Sequence, residues 1–201
     1  MKKYKIVLIG AISLLLFGLL LPLPIQALLV LVDSPMKEFF STHVLLLCVV
    51  VGMVQGVFEE GGYYLAFRTM LKKEQSGETP IMFGLGRSIL HTIFDIGTII
   101  AAGMSGFGCF LSVTGRIFSF GALMGLTLLD YTSNKRKRVA YLILSIVLHA
   151  IMNAVLVYAT ESDIFTIKNN YEAMFLIGFS CVVMIFSVLI CKNVYLKERH
   201  L

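Results

Sequence analysis

A chain of 201 residues that is 58% hydrophobic and only 14% charged has too little polar surface to stay soluble as a monomer, and its mean hydropathy of +0.88 marks an integral membrane protein. The formal net charge of +5 reflects membrane topology and contact with anionic lipid headgroups, so membrane lipids are expected partners and nucleic acid is not.

Crossing a bilayer takes roughly 20 apolar residues, and the sequence offers six such runs. In chain order they are Ile6 to Val32, Val44 to Phe67, Ile81 to Met104, Phe107 to Leu129, Val139 to Ala159 and Tyr171 to Cys191. The basic start Met1-Lys2-Lys3-Tyr4-Lys5 resembles that of a signal peptide, but the apolar run continues past Ala27, so a retained first helix is expected. Basic residues collect on the cytoplasmic side of short loops. With the N-terminus inside, the inner segments hold Lys2, Lys3, Lys5, Arg68, Lys72, Lys73, four consecutive basic residues from Lys135 to Arg138, Lys192, Lys197 and Arg199, while the outer loops hold Lys37 and Lys168. The expected fold is therefore all-α: one integral membrane domain over residues 1–201, a multi-pass bundle of about six helices in the cell membrane with both termini cytoplasmic.

Cys48, Cys109, Cys181 and Cys191 lie in or beside apolar segments without CxxC spacing, which suggests small buried hydrophobes and neither a disulfide framework nor a thiolate metal site.

The second run contains Glu59-Glu60. Ionisable groups are costly in hydrocarbon and usually face a bundle interior or a wet cavity. Counted from Arg68, Pro80 and Arg138 as inner boundaries, Glu60, His91 and His149 lie 8, 11 and 11 residues deep. At 1.5 Å per residue that is about 12 to 17 Å, one layer on the cytoplasmic side of the midplane. His149 and Asn153 are four apart on one helical face, and Arg87, His91 and Asp95 form a stripe at the same spacing. Asp95 is at a depth to pair with Arg116, and Arg87 is placed either to reach Glu59 or to snorkel to the inner surface. An alternative ends the second helix at Gly61-Gly62 and leaves both glutamates at the wet interface.

Two carboxylates, two histidines and an asparagine suit hydrolysis of an acyl bond by water. A poorly hydrated Glu accepts a proton as general base, one His positions the water, and the other His with Asn donates to the developing oxyanion. The chain shows no nucleophile elbow, which argues against a covalent acyl-enzyme.

The set Glu59-Glu60, His91 and His149-Ala150-Ile151-Met152-Asn153 resembles the three motifs of the CPBP (ABI) intramembrane proteases, which include the CAAX prenyl endopeptidases. Phe58-Glu59-Glu60, Tyr64-Leu65-Ala66-Phe67 and Gly84-Leu85-Gly86 also resemble the YhfC-type intramembrane metalloproteases. The chain departs from the CPBP pattern at Tyr64, where an Arg is usual, and at Arg87, where a Phe is usual; the YhfC pattern has a His at the latter position. The resemblance implies an intramembrane endopeptidase acting on a peptide or membrane-protein substrate, with Glu59 as water-activating base, Glu60 supporting it, His91 positioning the water and His149 with Asn153 stabilising the oxyanion. With no HExxH helix present, a metal-free mechanism is expected, and zinc held by Glu and His is the alternative. Two rival functions keep the same architecture. One is a six-helix substrate-binding subunit of a small-molecule importer, in which Gly52 to Gly56 and Gly121 to Gly125 would pack against partner helices; the other is a non-catalytic peptide-immunity protein.

Overall fold

The computed structural model describes residues 1–30, 32–74, 76–101, 103, 106–161 and 171–198. Among them every regular element is helical: α1 (Lys3–Ser13), continued by a π-helical stretch (Leu14–Leu20), then α2 (Leu23–Val30), α3 (Pro35–Thr42), α4 (Val44–Thr69), α5 (Thr79–Ala101), α6 (Gly106–Arg136), α7 (Val139–Glu161) and α8 (Tyr171–Glu198). A bilayer dictates this outcome, because backbone N–H and C=O groups in hydrocarbon have only one another as partners. Lys3–Leu29, Val44–Thr69 and Val113–Arg136 are long and apolar enough to cross a membrane, and Val139–Val155 and Ile177–Leu189 are shorter apolar helices. Large hydrophobic side chains such as Leu45, Ile93 and Ile100 point outward, while Glu59, Glu60, Arg87 and Asp130 are buried. This inside-out distribution is that of an all-α membrane bundle, polar where helices meet and apolar toward lipid.

Several boundaries differ from the hydropathy reading, and three of them bear on the fold. The first run is interrupted by its π-stretch and by a turn at Leu21-Pro22, since proline cannot donate to the helical ladder. Pro35–Thr42 forms a separate short helix that hydropathy passes over; Ser34 caps it by accepting from the Lys37 backbone N–H (3.2 Å), with Pro35 in its first turn. Beside that cap, the Lys37 ammonium donates to Asp33 (2.7 Å), and this bond together with the charge behind it holds the Asp33 carboxyl below the usual carboxylate range. The fourth predicted helix runs on from Leu129 to Arg136, because its polar end Asp130 to Ser133 is buried rather than looped. It stops at Lys137, whose φ of 55° is left-handed, with the Arg138 N–H closing back on Ser133 O (3.1 Å).

Small residues set the helix seams. A Cβ at Gly10 would lie 2.1 Å from Phe83 O and one at Gly86 1.9 Å from Val7 O, so α1 and α5 touch backbone to backbone. Gly52 and Gly56 do the same for α4 against α7, where a Cβ would lie 2.4 Å from Ala150 O and 2.7 Å from Ile146 O respectively. Gly121 and Gly125 face Met184 and Ser187 of α8. The two glycine patches that the importer reading assigns to partner helices are thus spent on seams within the chain.

Cys48, Cys109 and Cys181 are not in disulfides; the side chain of Cys191, like Lys168 and His200, lies outside the described residues.

Candidate active site

Helix α4 does not end at its paired glycines. It continues through Gly61-Gly62 to Thr69, and Glu59 and Glu60 are both fully buried, which removes the interfacial alternative for the two carboxylates. Neighbouring helices supply the reason they are tolerated there. The α4–α7 seam brings His149 to Glu60, with Nδ1 bonded to Glu60 Oε1, and sets His149 Nε2 3.7 Å from Glu59 Oε2. The α1–α5 seam holds the backbone of α5 at Gly86 against α1, and the adjacent Arg87 is fully buried within the bundle.

Arg87 ties the set together. Its Nη2 donates to Glu59 Oε1 (3.0 Å) and to Glu60 Oε1, and lies 3.5 Å from His149 Nδ1. Its Nη1 donates to Glu60 Oε2 (3.3 Å) and Thr127 Oγ1 (3.1 Å), and its Cζ stands 4.2 Å from the centre of the Tyr63 ring. Of the two destinations open to this side chain, it takes the carboxylates and not the inner surface. The remaining carboxylate oxygens are also occupied. Gln55 Nε2 and Tyr63 OH donate to Glu59 Oε2 and Oε1 (2.8 Å each), and Ser145 Oγ donates to Glu60 Oε2 (3.1 Å). A carboxylate with this many donors is fixed in orientation as well as charge.

The N-terminal segment closes one side. Gln55 also donates to Gly18 O (2.8 Å) within the π-stretch, and a Cβ at Gly18 would lie 3.3 Å from the Glu59 carboxyl carbon. At Gly62 a Cβ would sit 2.1 Å from the Phe17 ring, so the second glycine after the glutamates is the slot into which Phe17 packs. A π-stretch redirects side chains locally, and such stretches concentrate at functional sites.

Two of the five candidate residues do not join this cluster directly. His91 Nδ1 pairs with Asp95 Oδ2 (3.0 Å), an oxygen that Arg116 Nη1 also approaches (3.5 Å), so the Asp95–Arg116 pair expected from depth is present and His91 shares it. Asn153 Nδ2 donates to His149 O (3.2 Å) on its own helix. Conversely, Gln55, Tyr63, Thr127 and Ser145 contact the cluster although hydropathy and depth singled out none of them, and their signal in the sequence is only that of polar groups in apolar runs. Asp130 is the more consequential omission. It is fully buried, and its carboxyl interacts with Glu60 and Ser145. It stands immediately after the apolar run that ends at Leu129, so hydropathy gives no sign of its burial.

Glu59, Glu60 and His149 each offer a ligand atom, all within 4.8 Å of one another. Two carboxylates and an imidazole are the donor types of a hydrolytic metal site, and three protein ligands leave a position for water. In residue type and spacing the cluster therefore fits a divalent metal.

The model of the YhfC intramembrane metalloprotease family matches residues 2–102 and 90–177, most of the chain and all of the cluster. The chain belongs to that family. No curated protein and no solved structure matches it. Membership in the YhfC family, together with the Glu-Glu-His grouping, favours the metal-dependent alternative over the metal-free mechanism expected from the missing HExxH motif. The HExxH pattern does not reach this grouping because it describes ligands on one helix, whereas the residues that could hold a metal here stand on α4 and α7. This match bears out the YhfC part of the resemblance; it does not confirm the CPBP part.

Proposed function

We propose that this YhfC family member is a membrane endopeptidase that hydrolyses a peptide bond of a membrane-associated peptide or protein, with Glu59, Glu60 and His149 as its reacting centre. The supporting observation is the complete burial of two carboxylates against one imidazole at a helix seam. Burying that much charge destabilises a bundle unless other groups compensate it, and a purely structural role would be met more cheaply by apolar side chains.

Glu60 and His149, already bonded to each other, would hold the metal, with Glu59 completing the set. Bound there, zinc would polarise the scissile carbonyl and make its water acidic. Glu59, oriented by Gln55 and Tyr63, would keep one oxygen for the metal; with the other it takes the proton from the attacking water and passes it to the departing amine as the peptide bond breaks, and Glu60 supports it electrostatically. His91, held by Asp95 and partly exposed, positions incoming water. Asn153, one turn from His149, turns from the carbonyl of its own helix to donate to the oxyanion with His149. The motif likeness to CPBP proteases supports the same assignment of base and oxyanion donors. We assign a multi-pass topology in the cell membrane with both termini cytoplasmic. It is supported by the pairing of the Met1 amino group with Glu74 and of Lys3 with Glu78 (2.8 Å), which sets the N-terminus beside the basic segment after α4.

The non-catalytic alternative draws on one feature, the guanidinium seated on both carboxylates, which would weaken a base. The test that separates them is cleavage of a membrane-peptide library by purified protein in lipid bilayers with zinc supplied. Glu59→Gln and His149→Ala should abolish cleavage while both variants keep the elution profile of the folded protein; cleavage at the parental rate in both would end the proposal.

A further inference from the structure

A guanidinium at the centre of a metal-ligand set is itself a cation in the metal's place. Arg87 Nη2 is 3.0 Å from Glu59 Oε1, 3.5 Å from His149 Nδ1 and bonded to Glu60 Oε1. Zinc bound to those atoms has to sit about 2.0 to 2.2 Å from each, which is space that Nη2 fills. The two cannot coexist, on steric grounds and because two cations so close repel strongly in a medium of low dielectric.

We propose that Arg87 and a divalent metal are alternative occupants of the Glu59–Glu60–His149 cluster: the guanidinium is a resident cation that holds the ligands together without metal, and it withdraws when metal enters. The inference rests on the reading of the cluster as a metal centre. Three observations support it. The Arg87 side chain is fully buried, so it is not a surface residue that happens to reach inward. Its Nε has no hydrogen-bond partner, so the guanidinium fits its surroundings incompletely and gives up only part of a full set of bonds on leaving. Asp130 contributes a further buried carboxyl beside Glu60 and Ser145, so the polar lining of the site extends beyond the atoms that Arg87 reaches. The departing side chain is anchored by Thr127 and the Tyr63 ring, which bias it toward the inserted position.

Competition predicts an inverted mutational response. Loss of an ordinary positioning residue weakens metal binding, whereas loss of Arg87 should tighten it. The test titrates chelator-treated, detergent-purified protein with Zn²⁺ by calorimetry and follows the visible spectrum of Co²⁺ as a stand-in, with no substrate present. Arg87→Gln should bind one Zn²⁺ about ten- to a hundred-fold more tightly than the parent, as expected when the three bonds from Arg87 to the carboxylates no longer have to be broken and metal binding has already recovered most of what they contributed. Thr127→Val, which removes only the anchor, should fall between the two, and Glu60→Gln should abolish binding. If Arg87→Gln fails to fold, Thr127→Val decides. A dissociation constant equal to or weaker than the parent's in the folded variant overturns the proposal, as does the absence of zinc uptake by every variant. Failure of the protease reading looks different: tight, Glu60-dependent zinc binding by Arg87→Gln with no peptide cleaved by any metal-loaded form would sink that reading and leave the competition standing.

Discussion

Adding a single methyl group at Gly56 tests whether the α4–α7 seam sets the geometry of the Glu59–Glu60–His149 cluster. An alanine Cβ there would lie 2.7 Å from Ile146 O and 3.2 Å from Ala150 N, both backbone atoms that cannot rotate aside. Restoring ordinary contact near 3.4 Å requires the helices to part by roughly 0.7 Å. Overpacking of this kind costs about 1 to 3 kcal/mol, against which alanine returns about 1 kcal/mol of helix propensity, for a net loss of up to about 2 kcal/mol. The same separation lengthens the Glu60–His149 contact one turn further along, and a misplacement approaching 1 Å can lower a rate by about a hundredfold. Gly61→Ala is the matched control. It lies on the same helix beside the glutamates, yet nothing stands within 4 Å of its Cβ, so it should be neutral or stabilising by up to about 1 kcal/mol. Thermal unfolding in detergent and peptide cleavage measured on both variants check the expectation. Equal melting temperatures and equal rates would refute the claim that the glycine seam positions the site.

Three further outcomes follow from the same contacts. Glu60→Gln should destabilise more than Glu59→Gln, by about 3 to 5 kcal/mol for the former, because Glu60 accepts from Arg87, Ser145 and His149 whereas two of the donors to Glu59 are the neutral Gln55 and Tyr63; denaturant melts of the two variants give the order. Lys137→Gly should stabilise the chain by about 1 kcal/mol by relieving the left-handed φ of 55°, measured as a rise in melting temperature without a change in cleavage. Asp95→Asn should lower cleavage through its hold on His91 while costing stability about 1 kcal/mol or less, since both its ion pairs are partly exposed; a stability loss as large as that of Glu60→Gln would contradict this.

Residue chemistry and spacing alone determined that the chain is a helical membrane protein and that Glu59, Glu60 and His149 share one layer, because burial in hydrocarbon makes hydropathy, depth and helical periodicity readable without neighbours. Asp95 and Arg116 could be paired for the same reason. Depth, however, says nothing about azimuth: it put His91 in the right layer but could not show that its ring turns to Asp95 rather than to the glutamates. Nor could it decide between the two destinations of Arg87, since a long flexible side chain goes wherever unpaired carboxylates stand, and those belong to another helix. The π-stretch beside Glu59 and the burial of Asp130 were equally invisible, for each depends on a helix that only the folded bundle brings alongside. Composition could place charges in the membrane, and backbone-close glycine seams between α1 and α5 and between α4 and α7 decided which of them meet.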